Sequence, residues 1–438
     1  MSGPLDGLTT ADGAAHAGRR AHELAAVLCP MMRSITGDGV RATFEVLGKV
    51  APLVVTEVPS GTPVLDWEVP PEWAVREAYV ADDNGRRLID IAKHPLHLLG
   101  YSRPVRARLS LEELRPHLHT DPHHPDWIPY RTSYYRDAWG FCLAQSELDT
   151  WGPGPYEVVV DTRLFPGSLS YAECRVPGQQ DEEIVLYTHC CHPGMANDNA
   201  SGLAVAAVVA SALAASRPRL SYRIVFAPGT IGSITWLARN EAVWPRIRGG
   251  LVLGLLGDSS PLRYKRSRRG RSEIDLIAAA VVQARDPHAQ VQDFEPYGYD
   301  ERQFCSPGID LAVGRLSRSV NNGYTQYHSS GDDLSVIHAE ALADSIATIA
   351  EIVNRLDGNP RYRSLADRGE PRLGKRGLFR TTGGTDPTRF EHALLWVLSM
   401  ADGQHGLHDT AAAAGLATQD IEEAARALQA ARLIEIDA

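Results

Sequence analysis

The run Thr188-His189-Cys190-Cys191-His192-Pro193-Gly194-Met195-Ala196-Asn197-Asp198-Asn199-Ala200-Ser201-Gly202 follows the apolar stretch Ile184-Val185-Leu186-Tyr187. An Ala/Val-rich segment from Leu203 to Ala215 comes after it. The first stretch reads as a strand and the last as a helix. A His at a strand end, a Gly-bearing loop, an Asp and a helix start therefore fall within about fifteen residues. In an open α/β sheet, ligands bind at that edge. A neutral imidazole and a carboxylate brought together there are suitable zinc ligands. The competing reading is local: Asn, Asp and Ser also cap a following helix by accepting from its free N–H groups.

The wider pattern bears on that choice. From Tyr156 to about Leu356, apolar strand candidates (Glu157–Val160, Ile184–Tyr187, Ser221–Ala227, Gly250–Leu256 and Leu311–Arg315) alternate with helical segments such as Gly202–Ala215, Glu273–Ala284 and Ala339–Arg355. Such alternation predicts an α/β fold, a mostly parallel sheet with helices on both faces. Residues from about Ala17 to Leu47 read as helical, interrupted by a turn at Thr36-Gly37-Asp38-Gly39. Between about Pro63 and Leu148 the chain turns rich in Trp, Tyr, Pro and His, with short alternating runs, and reads as an inserted β-rich module. The aromatic segment Ile128–Tyr135 either packs a core or walls a site. The predicted division is a discontinuous main unit at 17–62 and 151–358, an insert at 63–150, a linker at 359–385 and a helical tail at 386–438. In that tail, Phe390–Met400, Asp409–Ala414, Thr418–Ala431 and Leu433–Ile436 have the order of a winged helix-turn-helix.

Two later segments complete a pattern with His189 and Asp198. Tyr327-His328-Ser329-Ser330-Gly331-Asp332-Asp333 resembles the late His-Thr-x-x-Asp motif of the zinc aminopeptidases of leucyl aminopeptidase type. Tyr299-Asp300-Glu301-Arg302-Gln303-Phe304 resembles their Ser-Asp-His-x-x-Phe element, and Asn197–Gly202 resembles their central metal loop. With Arg33–Gly39, Pro129–Tyr135, Gly229–Ser233 and Pro296–Gln303, the chain is similar to a bacterial branch that carries an inserted β domain and a winged helix.

The resemblance implies a zinc-exopeptidase-like fold and zinc as cofactor. It implies His189 and His328 as ligands, Asp198 as a carboxylate that bridges two ions, and Asp332 as a carboxylate beside His328 that orients its imidazole. The family's Glu-Glu pair is missing, since its place reads Phe226-Ala227-Pro228-Gly229-Thr230-Ile231. Cys191 stands where the family has an Asp, and the remaining Asp ligand has only Asp258 as a counterpart, a few residues late. A single zinc, or a rearranged site drawing on His192 or Asp258, fits these departures better than the two-ion pattern. For the base, Glu301 is the first candidate, at the family's His position, with Asp300 second; the alternative for Glu301 is a surface pair with Arg302. Arg131 and Arg302 are candidates to grip a substrate carboxylate, with Tyr299 beside them.

Composition excludes some classes. The net charge is −10, which disfavours general nucleic-acid or anionic-membrane binding. From Asp386 onward about nine acidic residues face three basic ones, so the tail reads as a packing or dimerisation module and a possible contact in a homo-oligomer, rather than a DNA reader. The start of the chain has no basic-then-apolar run, and no apolar stretch is long enough to span a bilayer, so a cytoplasmic location is expected. The six cysteines form no CxxC pair, in keeping with a reduced compartment. Two functional readings stand: a zinc-dependent hydrolase of a peptide or amino-acyl amide bond, in secondary metabolism or polysaccharide assembly, and a catalytically silent fold that binds a ligand or scaffolds a pathway. A regulator that binds DNA through the tail is the weaker third.

Overall fold

Strands that bury both faces need apolar residues on both faces, and the middles of the central strands have them. In Glu183–His189, Ile184 and Leu186 face one core while Val185 and Tyr187 face another. Ile224 and Phe226 alternate in the same way with Val225 and Ala227 on the neighbouring strand Ser221–Ala227. This period of two places a core on each side of one sheet. The computed structural model describes residues 3–378 and 388–437.

The sheet has eight strands, in the order Val54–Pro59, Ser168–Val176, Ser221–Ala227, Glu183–His189, Ile247–Leu253, Val313–Ser317, Arg263–Lys265 and Gln290–Gln292. Its four central strands, from Ser221–Ala227 to Val313–Ser317, are parallel. Antiparallel pairings occur toward both edges. The α/β architecture therefore agrees with the sequence.

The two faces are covered differently. Helices Ala11–Leu28, Asp38–Gly48, Gly202–Ala214, Glu273–Arg285 and Ala339–Asp357 pack on one face. Gly202–Ala214 is buried almost all round, as its unbroken Ala/Val run requires. The other face carries the short helices Ile231–Arg239 and Glu301–Phe304, and the insert shares its core through Trp73, Tyr101 and Phe141.

The insert is larger than predicted. Its four-stranded sheet, ordered Arg87–Asp90, Glu72–Ala81, Tyr156–Phe165, Val105–Leu109, takes in Tyr156–Phe165, which the sequence had placed in the main unit. That strand runs antiparallel to Glu72–Ala81 over nearly its whole length.

The tail is a winged helix: helices Arg389–Met400, Leu407–Ala414 and Thr418–Ala430 with a three-stranded sheet. The stretch 359–385, expected to be a linker, opens instead with strand Arg361–Ser364, the middle strand of that sheet. Its backbone groups pair with both Asp402–Gly406 and Ile434–Ile436. Residues 379–385 of that stretch, and 386, 387 and 438 of the tail, lie outside the described residues. Glu182 joins tail to sheet, since it meets Arg361 at 2.8 Å and Arg248 at 3.1 Å. Among the described residues, no helix is long and apolar enough to cross a membrane.

Candidate functional site

His189 closes its strand at the carboxyl edge of the sheet, and the chain then loops back before entering the helix at Gly202. The loop is fixed by buried polar contacts. Asp332 accepts from the backbone N–H of Asn197 at 2.7 Å and of Asp198 at 2.9 Å. The Asn197 side chain donates to Asp258 at 2.6 Å and accepts from Gly257 N at 3.0 Å. Asn199 Nδ2 donates to Thr188 Oγ1 at 2.8 Å and to the His189 carbonyl at 3.0 Å. Every loop residue from Ala196 to Ser201 is buried, so each of these polar groups needs such a partner.

Three imidazoles converge on Asp198. His189 Nε2 lies 2.9 Å from Asp198 Oδ1, and His192 Nδ1 lies 3.2 Å from the same oxygen. His328 Nε2 approaches the other oxygen at 3.1 Å. Aromatic rings wall the cluster. Tyr299 stacks on His189 at 4.8 Å and Tyr327 on His328 at 3.9 Å. The Tyr130 ring stands edge-on 5.1 Å from both His192 and His328. The segment 128–135 thus supplies a wall of the site, one of the two roles its sequence allowed.

His328 has φ +56°, in the left-handed region, which costs an L-residue about 1–2 kcal/mol. Its carbonyl accepts from Tyr130 N at 2.8 Å, and Pro129 bridges to Ser329, so the insert holds this residue in place.

Electrostatics follow the geometry. Burial disfavours the Asp198 carboxylate, but the charge of His192 and the close approach of all three imidazoles outweigh it and hold this carboxyl well below its usual range. Burial also opposes protonation of His192, yet Asp198 raises its pKa well above the ordinary value. Burial lowers His189 and His328.

His189, His192 and Asp198 offer three ligand atoms within 4.8 Å of one another. His192 Nδ1 is buried with no hydrogen-bond partner among the described residues. Two imidazole nitrogens and a carboxylate oxygen are a zinc-type donor set. Ligands about 2.0–2.1 Å from a tetrahedral ion stand about 3.3 Å apart, close to the two imidazole–carboxylate separations of 2.9 and 3.2 Å. These residues fit a metal ion.

Other sequence candidates stand elsewhere. Asp258 does not join the cluster; it accepts from Asn197 and, at 2.8 Å, from Ser260 N, and so shapes the loop from behind. Asp332 does not orient His328 but holds the Asn197–Asp198 backbone, and it accepts from Tyr324 OH at 2.8 Å. Glu301, the first candidate for the base, is fully buried and ion-paired with Lys265, which also donates to the Glu295 and Tyr297 carbonyls. Its carboxylate therefore ties down the 295–301 loop, and the pairing with Arg302 does not occur. Arg302 is half-buried. Arg131 is exposed.

Asp300 is placed more informatively. Its Oδ1 accepts from Ser233 Oγ at 2.6 Å, while its buried Oδ2 has no hydrogen-bond partner. Burial pushes its pKa up to about 7. A Cβ built on Gly229 would lie 3.0 Å from Asp300 Oδ2 and 3.2 Å from His189 Cβ. The missing side chain at 229, in the segment where the family's Glu pair would fall, thus lets the Asp300 carboxyl lie beside His189. The sequence marks Tyr130 only as part of the aromatic segment 128–135, and it does not reveal Lys265 or Tyr324, because nothing near them in the chain points to partners this distant.

Comparison with known proteins agrees with this architecture. The family described as a domain of unknown function (DUF4910) matches residues 22–359, and a winged helix-turn-helix family matches 360–436. A Clostridium acetobutylicum protein, named for polysaccharide biosynthesis and an aminopeptidase-like domain, is 45% identical over 96% of both chains. A crystal structure of a C. acetobutylicum protein described as a peptidase superposes with TM-score 0.85 at 43% identity, covering 97% of this chain and 98% of that one. A zinc aminopeptidase from Bacillus subtilis superposes with TM-score 0.55 at 11% identity, covering 78% of this chain and 95% of that one, a likeness of fold.

Proposed function

The chain belongs to the DUF4910 family, and on that footing we propose that it is a hydrolase that uses one bound metal ion, zinc by its donors, to cleave an amino-acyl amide or peptide bond. The observation that carries this reading is the convergence of His189 and His192 on one buried Asp198 oxygen, at 2.9 and 3.2 Å, where the Nδ1 of His192 makes no well-directed hydrogen bond. The count of one rests on the asymmetry of Asp198: one of its oxygens faces two imidazoles and the other only His328.

His189, His192 and Asp198 would hold the ion. A three-ligand zinc with an open position lowers the pKa of bound water to near 7 and polarises a carbonyl. The Asp300 carboxyl, its pKa pushed up to about 7 by burial, can gain or lose a proton near neutral pH, which is what general acid–base work requires. Tyr130, Tyr299 and Tyr327 fix the imidazole rings and exclude water from their faces. The name of the 45% identical relative supports a saccharide-linked amino-acyl amide as substrate.

The test is hydrolysis of an amino-acyl amide panel by tag-free protein. Turnover that ends in His189→Ala and in excess chelator is the expected result; turnover unaffected by either contradicts the reading. One observation favours a second reading, a silent fold that binds its ligand: no carboxylate stands between Ala227 and Ile231. Saturable ligand binding without turnover in metal-loaded protein would select it.

A further inference from the structure

The insert carries a second feature beside the imidazole cluster. An open cleft of about 450 Å³ is lined by Arg103, His117, His119, Arg131, Arg136 and Trp139, among others. That volume lies in the range of small-molecule sites, about 300–1,000 Å³. Arg103 is paired with Asp137 at 3.3 Å. Arg131 and Arg136 are exposed, and among the described residues neither meets a carboxylate. Arginines elsewhere in the fold can be tied up by carboxylates, as Arg223 is by both Glu173 and Glu183; these two are left open to the cleft. His119 adds a neutral imidazole, kept so chiefly by burial. His117 stacks on Trp139 at 3.7 Å and makes a flat wall.

The cleft adjoins the cluster through the backbone. Arg131 follows Tyr130, whose N–H donates to the His328 carbonyl and whose ring touches His192 and His328.

We propose that this cleft is an anion subsite in which Arg131 and Arg136 grip a phosphate or carboxylate group of the substrate while the bond to be cleaved lies at the imidazole cluster. Guanidinium forks match both anions in a bidentate way. The placement of the reacting bond rests on the hydrolase reading; the binding of the anion does not. The substrate class it selects is an acidic amino-acyl conjugate, not a neutral peptide.

The experiment is calorimetric titration of the full-length protein with inorganic phosphate and, separately, with acetate, at low salt. It is repeated on Arg131→Gln, Arg136→Gln and the double variant. Both arginines are exposed, so the variants are expected to keep the wild-type circular dichroism spectrum and metal content. The expected result is saturable binding that weakens about tenfold or more with each substitution and falls as salt is added. Tighter phosphate identifies a phosphorylated substrate, and equal or tighter acetate a carboxylate. Absence of saturable binding by both anions, or binding undiminished in the double variant (as for an anion held by the metal), overturns the proposal. Because metal content and turnover are measured separately, loss of hydrolase activity leaves this result standing, and its failure leaves the hydrolase reading standing.

Discussion

Asp332 Oδ2 accepts the backbone N–H of Asp198 at 2.9 Å, so a carboxylate from a distant loop fixes the position of the acid on which three histidines converge. Its other oxygen takes the Asn197 N–H at 2.7 Å. An Asn at 332 has one acceptor oxygen in place of two and must leave one of these buried donors unpaired. Asp332→Asn is expected to weaken zinc binding about 10–100-fold, the usual cost of losing an outer support of a metal ligand. Competition against a chelator of known affinity measures it, and unchanged affinity would contradict this role.

Glu301 and Lys265 form a pair that is almost wholly buried. Removing one partner strands the other charge, which typically costs about 3–5 kcal/mol. Glu301→Gln is therefore expected to lower the denaturant midpoint markedly. If Glu301 were the base, the same variant would lose turnover at wild-type stability. Unfolding curves and turnover on one preparation separate the two.

Gly229 leaves little room for a side chain, because a Cβ would stand 3.0 Å from Asp300 Oδ2 and 3.2 Å from His189 Cβ. Gly229→Ala must move one of them, at a cost of about 1–3 kcal/mol for overpacking. The expected outcome is a lower melting temperature with reduced turnover. Full activity at unchanged stability would mean that Asp300 and His189 tolerate the displacement and that their closeness carries no function.

Asp300 gives a pH dependence. Its pKa in the folded chain is about 7, against 3.8 for the free group, with burial the main cause. Between about pH 4 and pH 7 the folded state therefore holds more protons than the unfolded one, and this group's contribution to stability falls as pH rises through that window. The total is on the order of a few kcal/mol. Asp300→Asn removes the titration and keeps an acceptor for Ser233. The stability of wild type relative to this variant is expected to decline from pH 5 to pH 8 in denaturant titrations. A pH-independent difference would show that Asp300 titrates normally.

The parts of the fold legible in sequence are those set by local pattern. Ile184–Tyr187 announces a strand buried on both faces, and the Ala/Val run after Gly202 a buried helix, because each pattern is complete within a few residues. Tyr156–Phe165 was assigned to the wrong sheet because its alternation suits either one, and only pairing with Glu72–Ala81 decides. The same limit applies to the site. His189 and Asp198 are nine residues apart in one loop and could be read together. Asp332 supports a backbone 134 residues away, so its neighbour His328 was the only partner that sequence offered. The sequence neighbour of Glu301 is Arg302, while its actual partner, Lys265, lies 36 residues earlier on the strand Arg263–Lys265.

The central claim is one metal ion held by His189, His192 and Asp198, and elemental analysis of tag-free protein tests it most directly. The account predicts about one zinc per chain after zinc addition and dialysis, lost in both His189→Ala and His192→Ala. A native protein that retains no metal, or a His192→Ala variant that retains the full native complement, would contradict it.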